Sequence, residues 1–302
     1  MLMEDCLREF MFDCKLRKLS VRTIKSYHNN LLRMFKFIQS ELKVSKLDEI
    51  TPRCIQMYIE YLTKQGLKEN YINGIIKCAR AFFVYAGAEE YISKDIMKKI
   101  KWQREEIPMI ETFTDEEVTK MISYYTGNRF LDVRNRLLMI VLFDTGIRNT
   151  ELCEIRLEDV RETFIVIHGK GKKIRHVPIT SIINKYLIKY LRVREAYIVD
   201  KVAYQTDYLF LSQKGRKLTV ESVERIVATC GESCEIRETV RCSPHTCRHY
   251  YAQTQLKNGC DLFTVSRLLG HTNINITKRY LQSMHSEDIM AAAVRTSPLG
   301  NL

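Results

Sequence analysis

The segment Ser243-Pro244-His245-Thr246-Cys247-Arg248-His249 brings together residue types that handle anions. Ser243 can cap a helix and Pro244 suits its first turn, so a helix is predicted to start here. Residues 245, 248 and 249 then stand at i, i+3 and i+4, on one face. A guanidinium fork matches two phosphate oxygens, and imidazoles add donors or carry protons. On these residues alone, a solvated polar stripe fits equally well. Downstream, Asp261 is predicted to cap a helix that runs to Leu269 and is ended by Gly270. His271 follows at once, and Tyr280 lies nine residues further on, in Ile276-Thr277-Lys278-Arg279-Tyr280. A helical tyrosine by itself is ordinarily half-buried packing. Upstream, the apolar run Leu138–Phe143 leads into Asp144-Thr145-Gly146-Ile147-Arg148-Asn149-Thr150-Glu151-Leu152. Gly146 breaks one helix and Arg148 opens the next, where free backbone N–H groups favour an anion. The plainer reading of Arg148 is a surface arginine paired with Glu151. Lys170 stands at the tip of a Gly169–Gly171 turn and could reach a ligand, or be one of several solvated lysines. Lys172 and Lys173 lie one slip of the turn away.

Residues 1–103 read as helices only. Ile24, Tyr27, Leu31, Phe35, Ile38 and Leu42 recur at three- and four-residue intervals over 23–42. Thr51 before Pro52 predicts a capped helix that Gly66 can end, and a further helix is predicted to close at Gly87. The stretch 102–113 loses this periodicity and contains Pro108, which predicts a linker at 104–111. Thr114 with Glu117 is a capping box opening the second domain. There, Phe164-Ile165-Val166-Ile167-His168, the glycine turn and 173–179 read as a β-hairpin amid helices. The expected fold is mainly α with a small β-sheet (α+β).

The 45% apolar content is enough to fill cores, and no run of about 18 apolar residues occurs to span a membrane. The start of the chain carries acids where a secretory signal would be basic, so a cytoplasmic location is expected. The net charge is +12. Residues 1–103 hold 19 basic and 12 acidic side chains and the remainder 29 and 24, so the surplus is spread over both parts. Nucleic acid is the commonest partner for such a charge. Cys230, Cys234, Cys242, His245 and Cys247 could suggest zinc, but their spacing misses the paired two-residue gaps of a structural site. Small buried packing residues are the preferred reading, and no metal is expected.

In chain order, the sequence offers Arg148 in R-x-x-E-L, Lys170 in a G-K-G turn, H-x-x-R-H, L-G-H, and a tyrosine nine residues on. This resembles the tyrosine recombinases of phage integrase type, including Xer-like enzymes and integrases of mobile elements. The resemblance covers essentially the whole chain and implies a helical core-binding (SAM-like) domain at 1–103 and a catalytic domain at 112–285, forming a two-domain clamp on double-stranded DNA. It implies that Arg148 and Arg248 grip the scissile phosphate and that His245 and His271 hydrogen-bond it. His249 would support proton transfer, Tyr280 would be the nucleophile, and Lys170 would protonate the leaving 5′ oxygen. Glu151 would anchor Arg148. A 3′-phosphotyrosyl link conserves the energy of the broken bond, so no cofactor is expected. The tail, 286–302, with Ile289, Met290 and Val294, is expected to dock on a neighbouring protomer, giving a homo-tetramer on paired recombination sites, with accessory DNA-bending or partner recombinase proteins an open option. The expected outcome is integration, excision or resolution of DNA. Two rivals remain: type IB topoisomerase-like strand relaxation, which needs no specific site, and a non-catalytic DNA-binding regulator, indifferent to Tyr280→Phe.

Overall fold

The computed structural model describes residues 1–105, 110–169, 173–199 and 206–282, with Met290 and Val294. The chain divides into two compact units, Met1–Ile107 and Pro108–Leu302.

The first unit is built of helices α1 (Met3–Leu16), α2 (Val21–Leu42), α3 (Pro52–Lys64) and α4 (Glu69–Ala88). The predicted stripe of α2 points inward, with Leu31, Phe35 and Ile38 buried. Phe10 of α1 and Phe82 of α4 meet edge to face at the centre of this core. Two expectations need correction. The Thr51 hydroxyl does not cap α3: the Thr51 carbonyl already takes the Cys54 N–H, and the hydroxyl faces the Cys54 thiol at 3.3 Å. Nor does Gly87 close α4, which continues to Ala88 before Glu90 adopts φ 59°. The helix unwinds there because the N–H of Tyr91 reaches back to the carbonyl of Ala86.

The second unit opens with α5 (Asp115–Tyr124), whose Thr114–Glu117 capping box forms as expected. Helix α6 (Phe130–Thr145) is its spine: every side chain from Leu137 to Phe143 is buried. A helix apolar all round must be covered all round. Helices α5, α8 (Ser181–Val199) and α10 (Pro244–Lys257) do so. The short α7 (Asn149–Glu154) leads to the hairpin of β1 (Phe164–His168) and β2 (Ile174–Pro178), antiparallel with His168 opposite Ile174. Helix α9 (Val220–Ser233) follows, and Cys230 and Cys247 lie fully buried in the common core. The chain then runs through α10, α11 (Leu262–Leu269) and α12 (Ile274–Gln282). A small second cluster of Tyr251, Leu256, Val265, Leu269 and Tyr280 welds these three together. The tail expected to dock on a neighbour, 286–302, lies outside the described residues except for Met290 and Val294, both exposed. No described helix is long and apolar enough to cross a membrane.

Candidate active site

Helix α10 begins where the sequence places it: Ser243 Oγ accepts the Thr246 N–H, with Pro244 in the first turn. The i, i+3, i+4 spacing has its predicted effect on this helix. His245 and His249 meet edge to face at 4.2 Å between ring centres, and His249 Nδ1 lies 3.1 Å from the Tyr280 hydroxyl. Arg248 is 3% exposed and donates from Nη1 to the Gly146 carbonyl (2.7 Å) and from Nη2 to the Leu269 carbonyl (2.7 Å). Gly146 is required here twice over. Its φ is +58°, and a Cβ would stand 2.5 Å from the Tyr251 ring.

Arg248 Nη2 also lies 2.8 Å from His271 Nε2. A guanidinium N–H can only donate, so Nε2 must be the acceptor and the His271 proton resides on Nδ1. That proton has a partner, Thr277 Oγ1, at 2.7 Å, on a residue with no exposed surface.

Arg148 is the N-cap of α7, and the Glu151 carboxylate accepts its backbone N–H at 3.1 Å. The side chain is held as well, with Nη1 on Glu151 (2.8 Å) and Nη2 on the Gly270 carbonyl (2.9 Å). Glu151 therefore anchors Arg148, as expected. It has a second partner that no local spacing singles out. Arg175, on β2, sends Nη1 and Nη2 to the two Glu151 oxygens at 2.9 and 2.7 Å. Its Nε donates to the Leu268 carbonyl at 2.8 Å. Three arginines thus occupy three successive carbonyls, at 268, 269 and 270. These are the carbonyls that a helix C-terminus leaves unpaired, at the negative end of its dipole. Gly270 allows this turn with φ +65°, and a Cβ there would press on the Arg175 guanidinium at 3.0 Å.

Electrostatics follow from this packing. Burial pushes the Arg248 guanidinium down to about 10, helped by the neighbouring Arg148. Burial and then surrounding positive groups hold His249 and His271 at about 4, so both rings are neutral near pH 7. His245 is lowered for the same reasons. For Glu151, burial would raise the carboxyl, but Arg175 and Arg148 outweigh it and the group is held below its ordinary value. Burial raises the Tyr280 phenol, while the charge and a hydrogen bond of Arg248 pull the other way. Three guanidinium groups with one carboxylate between them leave this cluster a surplus of positive charge.

Lys170 and Lys172 lie outside the described residues. Lys173 closes the hairpin, its carbonyl accepting the Gly169 N–H, and it lines the same cleft as Arg148, Arg175 and His271. Arg148, His245, Arg248, His249, His271 and Tyr280 belong to one connected cluster, and Glu151 supports it from below.

Residues 111–287 match the model of the Phage integrase family, and residues 4–102 that of the phage integrase SAM-like domain. The chain belongs to the phage integrase family of tyrosine recombinases. Within it, the tyrosine recombinase XerD of Staphylococcus haemolyticus (strain JCSC1435) is 30% identical over 281 residues, covering 92% of this chain and 94% of that protein. A Staphylococcus aureus XerD is 28% identical, covering 94% of this chain and 96% of the relative. Among solved folds, a XerH site-specific recombinase in a post-cleavage complex with palindromic difH substrate superposes with a TM-score of 0.74 at 23% identity, over 92% of this chain and 81% of that one. A lambda integrase(75-356) dimer bound to a COC′ core site gives 0.71 at 18% identity, over 91% and 97%. The mainly helical fold with its two-stranded sheet is that of tyrosine recombinases, and this chain is a tyrosine site-specific recombinase acting on DNA.

Proposed function

We propose that Tyr280 attacks a DNA phosphodiester seated between Arg148 and Arg248. The phenol oxygen bonds to phosphorus and the bond to the 5′ oxygen breaks, leaving a 3′-phosphotyrosyl link and a free 5′-hydroxyl. The observation that carries this is the convergence of the Tyr280 hydroxyl with His249 Nδ1 at 3.1 Å and with the Arg248 guanidinium. With Nδ1 bare, the neutral His249 can accept the phenol proton as the new bond forms. The two guanidinium groups and the His245 and His271 rings stabilise the charge that builds on the non-bridging oxygens. As Arg248 turns to the phosphate, Thr277 Oγ1 can become a donor to His271 Nδ1, and Nε2 can then carry the proton towards the substrate. Lys170 is assigned the proton for the departing 5′ oxygen. Bond energy is kept in the phosphotyrosine, so a 5′-hydroxyl from a second duplex reverses the step without a cofactor.

The helices of residues 1–103 serve as the core-binding unit in this reading. Two paired sites assemble four protomers, whose tails dock on neighbours, in the cytoplasm where the DNA is. An accessory DNA-bending protein or a second recombinase belongs to the same proposal. The test is a nicked suicide duplex cut from the DNA flanking the gene. The wild-type chain should give a denaturant-resistant adduct, and Tyr280→Phe should give none while still binding the duplex. An adduct formed by the phenylalanine variant overturns the assignment.

A further inference from the structure

The pairing of Glu151 raises a question of charge. A single buried carboxylate, 7% exposed, would neutralise Arg148 and hold its fork away from any other anion. Yet Glu151 is shared. Arg175 takes both of its oxygens end-on, in two Nη bonds, leaving Arg148 one side-chain bond and its backbone N–H. Arg175 is itself only 12% exposed, so this pairing is well shielded from water. Its Nε also holds the Leu268 carbonyl, one residue before the carbonyl that Arg248 grips and two before the one that Arg148 grips. One side chain therefore touches the anchor of the first arginine and the turn that aligns the second.

We propose that Arg175 is a positioning residue for the cleavage step: it takes up the charge of Glu151 so that Arg148 stays available to the scissile phosphate. This rests on the reading of Arg148 as a phosphate ligand. Arg175 need not touch DNA. Without its guanidinium, Glu151 pairs fully with Arg148, and the cradle loses one net positive charge at the point where phosphate charge builds.

A merely structural role and this electrostatic one differ in a double substitution. Arg175→Met should slow adduct formation on the suicide duplex by about tenfold or more, a typical cost of an unbalanced buried charge. Adding Glu151→Gln removes the surplus negative charge. Arg175→Met/Glu151→Gln should therefore recover most of that rate, to within about threefold of the wild-type chain, at unchanged duplex affinity. Arg175→Lys keeps the charge but not the fork, and should fall between. If the double variant is as slow as Arg175→Met or slower, while melting curves show it folded, the proposal is overturned. Arg148→Met is run alongside. Should it form adduct at the wild-type rate, the phosphate role of Arg148 itself fails, an outcome distinct from failed rescue.

Discussion

Thr277 offers the most discriminating perturbation of the site. Its hydroxyl is buried, 2.7 Å from His271 Nδ1, and it partners that nitrogen whether the ring donates or accepts there. Thr277→Val keeps the shape and deletes the hydroxyl. The Nδ1 proton then has no partner, and leaving a buried donor unsatisfied costs about 1–3 kcal/mol. If the ring escapes by moving its proton to Nε2, that N–H confronts the N–H of Arg248 at 2.8 Å, so Arg248 must turn away. Either route leaves Nδ1 without its partner, and the second is the proton state that the phosphate-bound site needs Thr277 to support. Thr277→Ser keeps the hydroxyl and loses one buried methyl, about 0.8 kcal/mol. Both variants should thus lower the melting temperature by a few degrees, on the order of 2–4 °C per kcal/mol for a domain this size. Their chemistry should separate: adduct formation on the suicide duplex slows about tenfold or more in the valine variant, and stays near wild type in the serine variant. Equal rates in the two, at comparable loss of melting temperature, would refute the link between the Thr277 hydroxyl and the state of His271.

Two further outcomes follow from the same geometry. His249 and His271 have folded values near 4, below the ordinary imidazole value of 6.5, so the unfolded chain binds more protons between these limits. Stability should accordingly be full above about pH 6.5 and fall as pH drops towards 4. His249→Gln or His271→Gln should flatten that slope in melting curves taken across pH. Gly146→Ala sets a Cβ 2.5 Å from the Tyr251 ring at φ +58° and displaces the carbonyl that holds Arg248. It should lower the urea midpoint by the equivalent of about 1–3 kcal/mol and slow adduct formation as well. A midpoint within error of wild type would show that the turn has room the structure denies it.

Much of this protein is readable in its sequence because the deciding interactions are local. Thr114 with Glu117, Ser243 with Thr246, and the glycines at 146 and 270 act within three or four residues, where backbone geometry dictates partners. The spacing of His245, Arg248 and His249 sets one helix face for the same reason. Local rules also mislead where the backbone offers a competing partner, as when the Thr51 carbonyl takes the bond expected of its hydroxyl. Arg175 was invisible because its partners are Glu151, 24 residues earlier, and Leu268, 93 residues later. Thr277 looked like any helical threonine until burial gave its hydroxyl a single imidazole to face. The sequence alone determined which side chains could do the chemistry and the order in which they come. Only the tertiary structure decided their charge balance and proton positions. Those depend on burial and on hydrogen bonds between groups that the chain brings together from far apart.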